Sequence, residues 1–167
     1  MNMKKLSMAL TTLFGIGLLI FNSCGTVPIT GRRQLNLVSD GEILAASATQ
    51  YRQFISKSQL SHNSTYNNKV TQVGRRLAAA TNIYLKQNGY ESMLSTLSWE
   101  FNVVDSKQVN AFCMPGGKIV VYTGLLNLVG NGGHSDDELA AVMGHELSHA
   151  LAKHANERIS NQMLMQA

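Results

Sequence analysis

His145-Glu146-Leu147-Ser148-His149 is the stretch from which the rest of the chain is read. It pairs two imidazoles four positions apart with a carboxylate directly after the first, the HExxH pattern. Four residues of α-helix turn through about 400°, so both rings lie on one face, about 40° apart. At that separation both can reach a single metal ion as Zn–N ligands. Glu146 is rotated about 100° from His145, so it borders the site without having to be a ligand. A carboxylate there can deprotonate a water poised for attack. Ser135-Asp136-Asp137-Glu138 reads as a capping box with acidic residues in the first turn, where the helix dipole favours them. Leu139, Met143, Leu147, Ala150 and Leu151 then make one apolar stripe, and the histidine pair projects from the other side beside the small Ala141 and Ala152. A helix with one face buried and the other open is what a metal site requires.

Working outward, Ser39-Asp40-Gly41-Glu42 is a second capping box. It opens a helix with Ile43, Leu44, Ser47, Tyr51, Phe54 and Ile55 at helical spacing and an end near Ser58. Residues 61–66 are polar linker, with His62 exposed. Tyr66, Val70, Val73, Leu77, Ala80 and Tyr84 then predict the core stripe of a second long helix, capped at Asn88-Gly89. The period changes to two at Trp99, Phe101 and Val103, which predicts a half-buried strand. Residues 109–114 and 118–122 are strand-like runs joined through Pro115-Gly116-Gly117, and residues 124–129 suit a short helix. A glycine-rich loop at 130–133 leads into the HExxH helix. The fold class is α+β: long helices on a small mixed or antiparallel sheet, with the HExxH motif on the central helix.

A catalytic zinc ion normally has three protein ligands. His154 is five positions after His149, rotated about 140° away, so it is not expected to join the same ion. His134 and Glu138 lie about 16 Å and 10 Å from His145 along the same axis. The longer metzincin pattern fails, because Ala152 stands where its Gly is required and Ala155 where its His is required. The third ligand is therefore expected from a later helix, beyond Ala167. The chain is expected to stop inside the metal-binding helix, as a fragment or truncated product.

The chain has 167 residues, 44% hydrophobic and 14% charged, which suits one globular domain over residues 39–167. Its formal charge of +4 falls by two if Lys4 and Lys5 are removed. With only the Arg32-Arg33 and Arg75-Arg76 pairs as basic clusters, nucleic acid is not an expected partner. Residues 1–23 read as a signal peptide, basic over residues 1–5 and apolar over residues 6–21. Asn22-Ser23-Cys24 resembles a bacterial lipobox, with Cys24 as the lipid-attachment residue; an uncleaved membrane anchor is the alternative. Thr26 at the second position after Cys24 leans the resemblance toward the outer membrane. Residues 24–38, with no sustained periodicity, are expected to be a tether. Cys113 is then left without a partner and reads as a small hydrophobe in a strand.

Two blocks carry a more specific resemblance. Residues 110–126, beginning Asn110-Ala111-Phe112-Cys113-Met114-Pro115-Gly116-Gly117, resemble the segment before the HExxH helix in the HtpX- and Oma-type gluzincins, metallopeptidase family forty-eight. Residues 137–149, followed by Lys153-His154 and Glu157-Arg158, continue the match, and residues 28–35 resemble the start of its exported lipoprotein members. The resemblance implies a zincin-like fold and one Zn2+ per chain held by His145 and His149. It implies Glu146 as general base, and Asn110, Ala111 and Phe112 beside the cleft, pairing with an extended substrate backbone. The family's Glu ligand would lie beyond Ala167.

The expected function is a zinc metalloendopeptidase acting on unfolded or misassembled proteins of the bacterial cell envelope. It would be lipid-anchored at the periplasmic face of the outer membrane, with protein or peptide substrates as partners. A non-proteolytic assembly or chaperone lipoprotein, or an inactive fragment lacking the third ligand, is the alternative. Oligomeric state is not legible.

Overall fold

The first long helix begins where its cap dictates. The computed structural model describes residues 24–27, 29–129 and 135–166, and in it α1 spans Asp40–Lys57 behind Ser39. The Glu42 N–H donates to Ser39 Oγ at 3.3 Å, and the Ser39 N–H donates to Glu42 Oε2 at 3.0 Å. This is the reciprocal capping box expected from the sequence. The hydrogen bond from the Ser39 side chain holds the Glu42 carboxyl below its ordinary pKa. Ser58 closes the helix, donating its hydroxyl to Phe54 O at 2.8 Å.

Helix α2, Ser64–Gln87, is capped by Asn63 and ends before Asn88. Its buried face is Val70, Val73, Gly74, Ala78, Thr81 and Leu85, whereas Ala80 and Tyr84, expected in the core, are exposed. The reason lies at Gly74, where a Cβ would stand 2.4 Å from the Phe101 ring. The ring packs onto bare helix backbone there, and the buried face of the next turns shifts by one position, about 100°.

Strands β3 (Glu100–Val104), β4 (Ala111–Met114) and β5 (Lys118–Tyr122) form a mixed sheet of order β3-β5-β4. β3 runs parallel to β5, and β4 pairs antiparallel to it. Central β5 is buried along its whole length, and its period of two feeds two cores. Ile119 and Val121 pack with Val70, Val73, Leu139 and Met143, while Val120 and Tyr122 pack with Tyr51 of α1. The sheet thus lies between α1 on one side and α2 on the other, which is the α+β arrangement expected. Lys118 is buried because its ammonium donates to Ser98 O at 2.6 Å and pairs with Glu100.

Short α3 (Thr123–Val129) follows β5, then α4 (Ser135–Leu151) and α5 (His154–Gln166). Ser135, expected as a cap, is itself helical, and its hydroxyl accepts from Lys69 Nζ at 2.5 Å. The HExxH helix does not run on to the end of the chain as expected. It stops at Leu151, and Lys153 takes φ 54°, a left-handed conformation that side chains disfavour. Asp40 holds the break: its Oδ2 accepts from Lys153 Nζ at 2.5 Å and its Oδ1 from Asn156 Nδ2 at 2.9 Å.

Within the stretch expected to be a tether, β1 (Cys24–Thr26) pairs antiparallel with β2 (Arg33–Leu35). Strands of three residues are too short to leave a readable period. Val27 and Gln34 are buried, and Arg32 grips Glu157 of α5 with two contacts of 2.8 and 2.5 Å. The proposed signal segment and the glycine-rich loop lie outside the described residues. Among the described residues no helix is long and apolar enough to cross a membrane.

Two tests follow from this packing. A Cβ on Gly124 would stand 2.3 Å from the Gln108 carbonyl oxygen and 2.5 Å from that of Lys107. Gly124→Ala should therefore cost about 1–3 kcal/mol in urea unfolding, against the gain that helix propensity alone predicts. The Arg32 hydrogen bond lowers the Glu157 pKa from 4.5, so the pair stabilises the fold above the ordinary carboxylate range and stops doing so as pH falls through the lowered value. Amide protection in β1 and β2 should drop on acidification in the wild type, and should already be reduced at neutral pH in Glu157→Gln.

Candidate metal centre

The rotation of α4 about its axis is fixed by what it buries. Leu139 and Met143 are fully buried, and Leu147 and Leu151 nearly so. At about 1.5–3 kcal/mol for each buried side chain, this stripe contributes on the order of 6–12 kcal/mol as an upper estimate. Turning the helix would forfeit most of that, so the opposite side is held open. His145 and His149 are exposed there, and Glu146 is half-buried.

The two imidazoles meet edge to face, with ring centroids 4.6 Å apart and planes at 88°. Their Nε2 atoms converge to 3.0 Å. Two Zn–N bonds of about 2.0–2.1 Å at a tetrahedral angle would set the nitrogens about 3.3 Å apart. The pair therefore fits one zinc ion with only a small opening of the rings. Among the described residues, no group of three or more His, Cys, Asp or Glu side chains could hold a metal ion. The described donor set is two imidazoles.

Strand β4 lies alongside α4, within reach of the charge of Glu146. Burial raises the Cys113 pKa to about 12, and the charge of Glu146 adds to the rise. The carboxylate therefore lies within electrostatic reach of the strand, and the thiol is un-ionised, as its reading as a hydrophobe requires. β4 is also an edge of its sheet. The Tyr122 N–H donates to Asn110 O at 3.0 Å. The alternation of an antiparallel ladder then bonds Phe112 and Met114 to β5 and turns the N–H and C=O groups of Ala111 and Cys113 outward.

The three residues expected beside the cleft thus differ in what they offer. Asn110 precedes the strand and has its carbonyl engaged by Tyr122. Ala111 is buried and presents backbone to the edge. Phe112 packs edge-on against Phe54, with centroids 5.2 Å apart. Together with Cys113, Met114, His149, His154 and Arg158 it lines a cavity of about 460 Å³.

His154 was expected to face away and does not. Its Nδ1 lies 2.6 Å from His149 Nδ1, with ring centroids 4.8 Å apart. The expectation assumed an uninterrupted helix, and the break at Lys153 brings the ring back toward the pair. No Gly or Pro marks that break, and the residue that holds it, Asp40, is distant in sequence.

Converging imidazoles on an exposed helix face, a neighbouring carboxylate and an open strand edge are the marks of a metallopeptidase. The profile of Peptidase family M48 matches residues 64–167, from α2 onward, and the chain belongs to that family. It is 49% identical over 78 residues to the mitochondrial metalloendopeptidase OMA1 of Arabidopsis thaliana, covering 47% of this chain and 15% of that protein. Bovine mitochondrial metalloendopeptidase OMA1 is 29% identical over 164 residues, 95% of this chain and 29% of its own length. The metalloprotease LoiP of Escherichia coli is 39% identical over 57 residues, 34% of this chain and 21% of that protein. The chain thus spans well under half of each of these relatives.

The raised thiol pKa has a direct readout. Native Cys113 should resist iodoacetamide at pH 8, where its thiolate fraction is on the order of one in ten thousand, and react at the ordinary rate once the chain is unfolded. Peptide mapping by mass spectrometry reads both rates.

Proposed function

We propose that the chain carries the HExxH half of a zinc metalloendopeptidase site that hydrolyses peptide bonds in unfolded or misassembled envelope proteins. The observation that supports it best is the convergence of His145 and His149 on the open face of α4, with Glu146 beside them on the same helix. In this reading His145 and His149 would hold one Zn2+. A zinc ion held there would supply Lewis acidity for the scissile carbonyl and the attacking water. Glu146 takes the proton of the attacking water and returns it to the leaving amine nitrogen. The outward N–H and C=O groups of Ala111 and Cys113 bind the extended substrate main chain, and the cavity at Phe112 takes a side chain. Main-chain pairing accepts many sequences, as unfolded clients demand.

The N-terminal pattern supports export to a bacterial envelope, with Cys24 lipidated and residues 1–23 removed. A second reading is a domain that binds client proteins without cutting them. One experiment separates the two. Glu146→Gln should abolish cleavage of unfolded casein while retaining zinc as the wild type does, and His145→Ala should lose both. Wild-type protein that captures casein without cutting it supports the second reading. A Glu146→Gln protein that cuts at the wild-type rate removes Glu146 from the chemistry.

A further inference from the structure

We infer that His154 is a positioning residue. Its Nδ1 accepts a hydrogen bond from His149 Nδ1–H and so fixes His149 in the tautomer whose Nε2 lone pair faces the metal. This rests on the reading of His145 and His149 as zinc ligands.

The geometry assigns the two nitrogens of His149 to different neighbours. Nε2 lies 3.0 Å from His145 Nε2, and Nδ1 lies 2.6 Å from His154 Nδ1. A ligating imidazole is neutral, with its lone pair on the metal side and its proton on the other nitrogen. An acceptor for that proton fixes both the tautomer and the ring orientation and makes the ligand more basic. A carboxylate, backbone carbonyl or water usually fills this place. Among the described residues the polar neighbour of His149 Nδ1 is the His154 ring. A His154 ring that accepts at Nδ1 has its proton on Nε2, a donor for which solvent is the ready partner because the residue is exposed.

The same arrangement keeps His154 from being a ligand in its own right. An ion shared by the Nε2 atoms of His145 and His149 is on the far side of the His149 ring from His154.

The chain holds His154 in place by several independent contacts. It is the first residue of α5, immediately after left-handed Lys153. Asp40 ties Lys153 and Asn156 to the start of α1, and Arg32 grips Glu157. A backbone conformation that is unfavourable by itself persists only where its surroundings impose it. Here the consequence of imposing it is the placement of one ring.

The test uses metal-free protein labelled with 15N on imidazole nitrogens, followed by zinc titration of the same samples by NMR. Variants are His154→Ala, His154→Phe, which keeps an aromatic ring without an acceptor, and His154→Asn, whose Oδ1 stands close to where Nδ1 was. Wild type and His154→Asn should show His149 protonated at Nδ1 alone. His154→Ala and His154→Phe should show mixed tautomers and bind zinc about 10–100-fold more weakly.

The inference is overturned if wild-type His149 carries its proton on Nε2, or if the Ala and Phe variants titrate like wild type. It is also overturned if His154→Asn behaves like His154→Ala. Should wild-type protein take up no zinc at His145 and His149, the proposed function fails. The metal-free tautomer still decides the role of His154 in that case.

Discussion

Burial of one side of α4 is the constraint from which the site follows. Leu139 and Met143 face the core formed by the sheet and α2, and Leu147 and Leu151 are buried further along the same stripe, toward Ile43 and Leu44 of α1. Residues at helical spacing on the opposite side must then face solvent. The histidine pair needs no contact of its own to be presented, because the hydrophobic face sets its orientation. The stability involved is comparable with that of a whole domain, so the exposed imidazoles are held by forces they do not contribute to.

A second constraint acts across the chain at Asp40. One carboxylate receives both the ammonium of Lys153 and the amide of Asn156. It therefore joins the N-terminus of α1 to the turn between α4 and α5. That turn decides where the HExxH helix ends and where α5 departs. Leu37 N donates to Ser160 Oγ at 3.0 Å, and Arg32 holds Glu157, so the segment before α1 is fastened to α5 as well. A stretch that looked like a spacer is thereby part of the domain's packing.

What the sequence made legible was local. The Ser39–Glu42 capping box, the change of period from α2 to β3, and the apolar stripe of α4 each depend on residues a few positions apart, and the structure has all of them. What it concealed depends on distant partners. The buried face of α2 turns because Phe101 sits on Gly74, and periodicity within α2 carries no trace of that. The stop at Leu151 is dictated by Asp40 rather than by a breaker in the helix, so extending the helix arithmetic to His154 placed its ring on the wrong side. The β1–β2 pair has too few residues to show an alternation. In the candidate site, the motif exposed its own three residues but not the ring that abuts them.

The side chains of β4 explain how α4 and an open strand edge can lie together. Ala111 and Cys113 share the face that packs toward α4, while Phe112 packs with Phe54 and Tyr122 on the α1 side. Small residues at 111 and 113 let the helix approach, with the charge of Glu146 within electrostatic reach of Cys113. A bulky residue at either position would push the helix off the strand. An ionised residue would set a second charge beside that of Glu146. Cys113, compact and kept protonated by burial, meets both requirements. Strand and helix thus pack closely because two of the strand's side chains are small and uncharged.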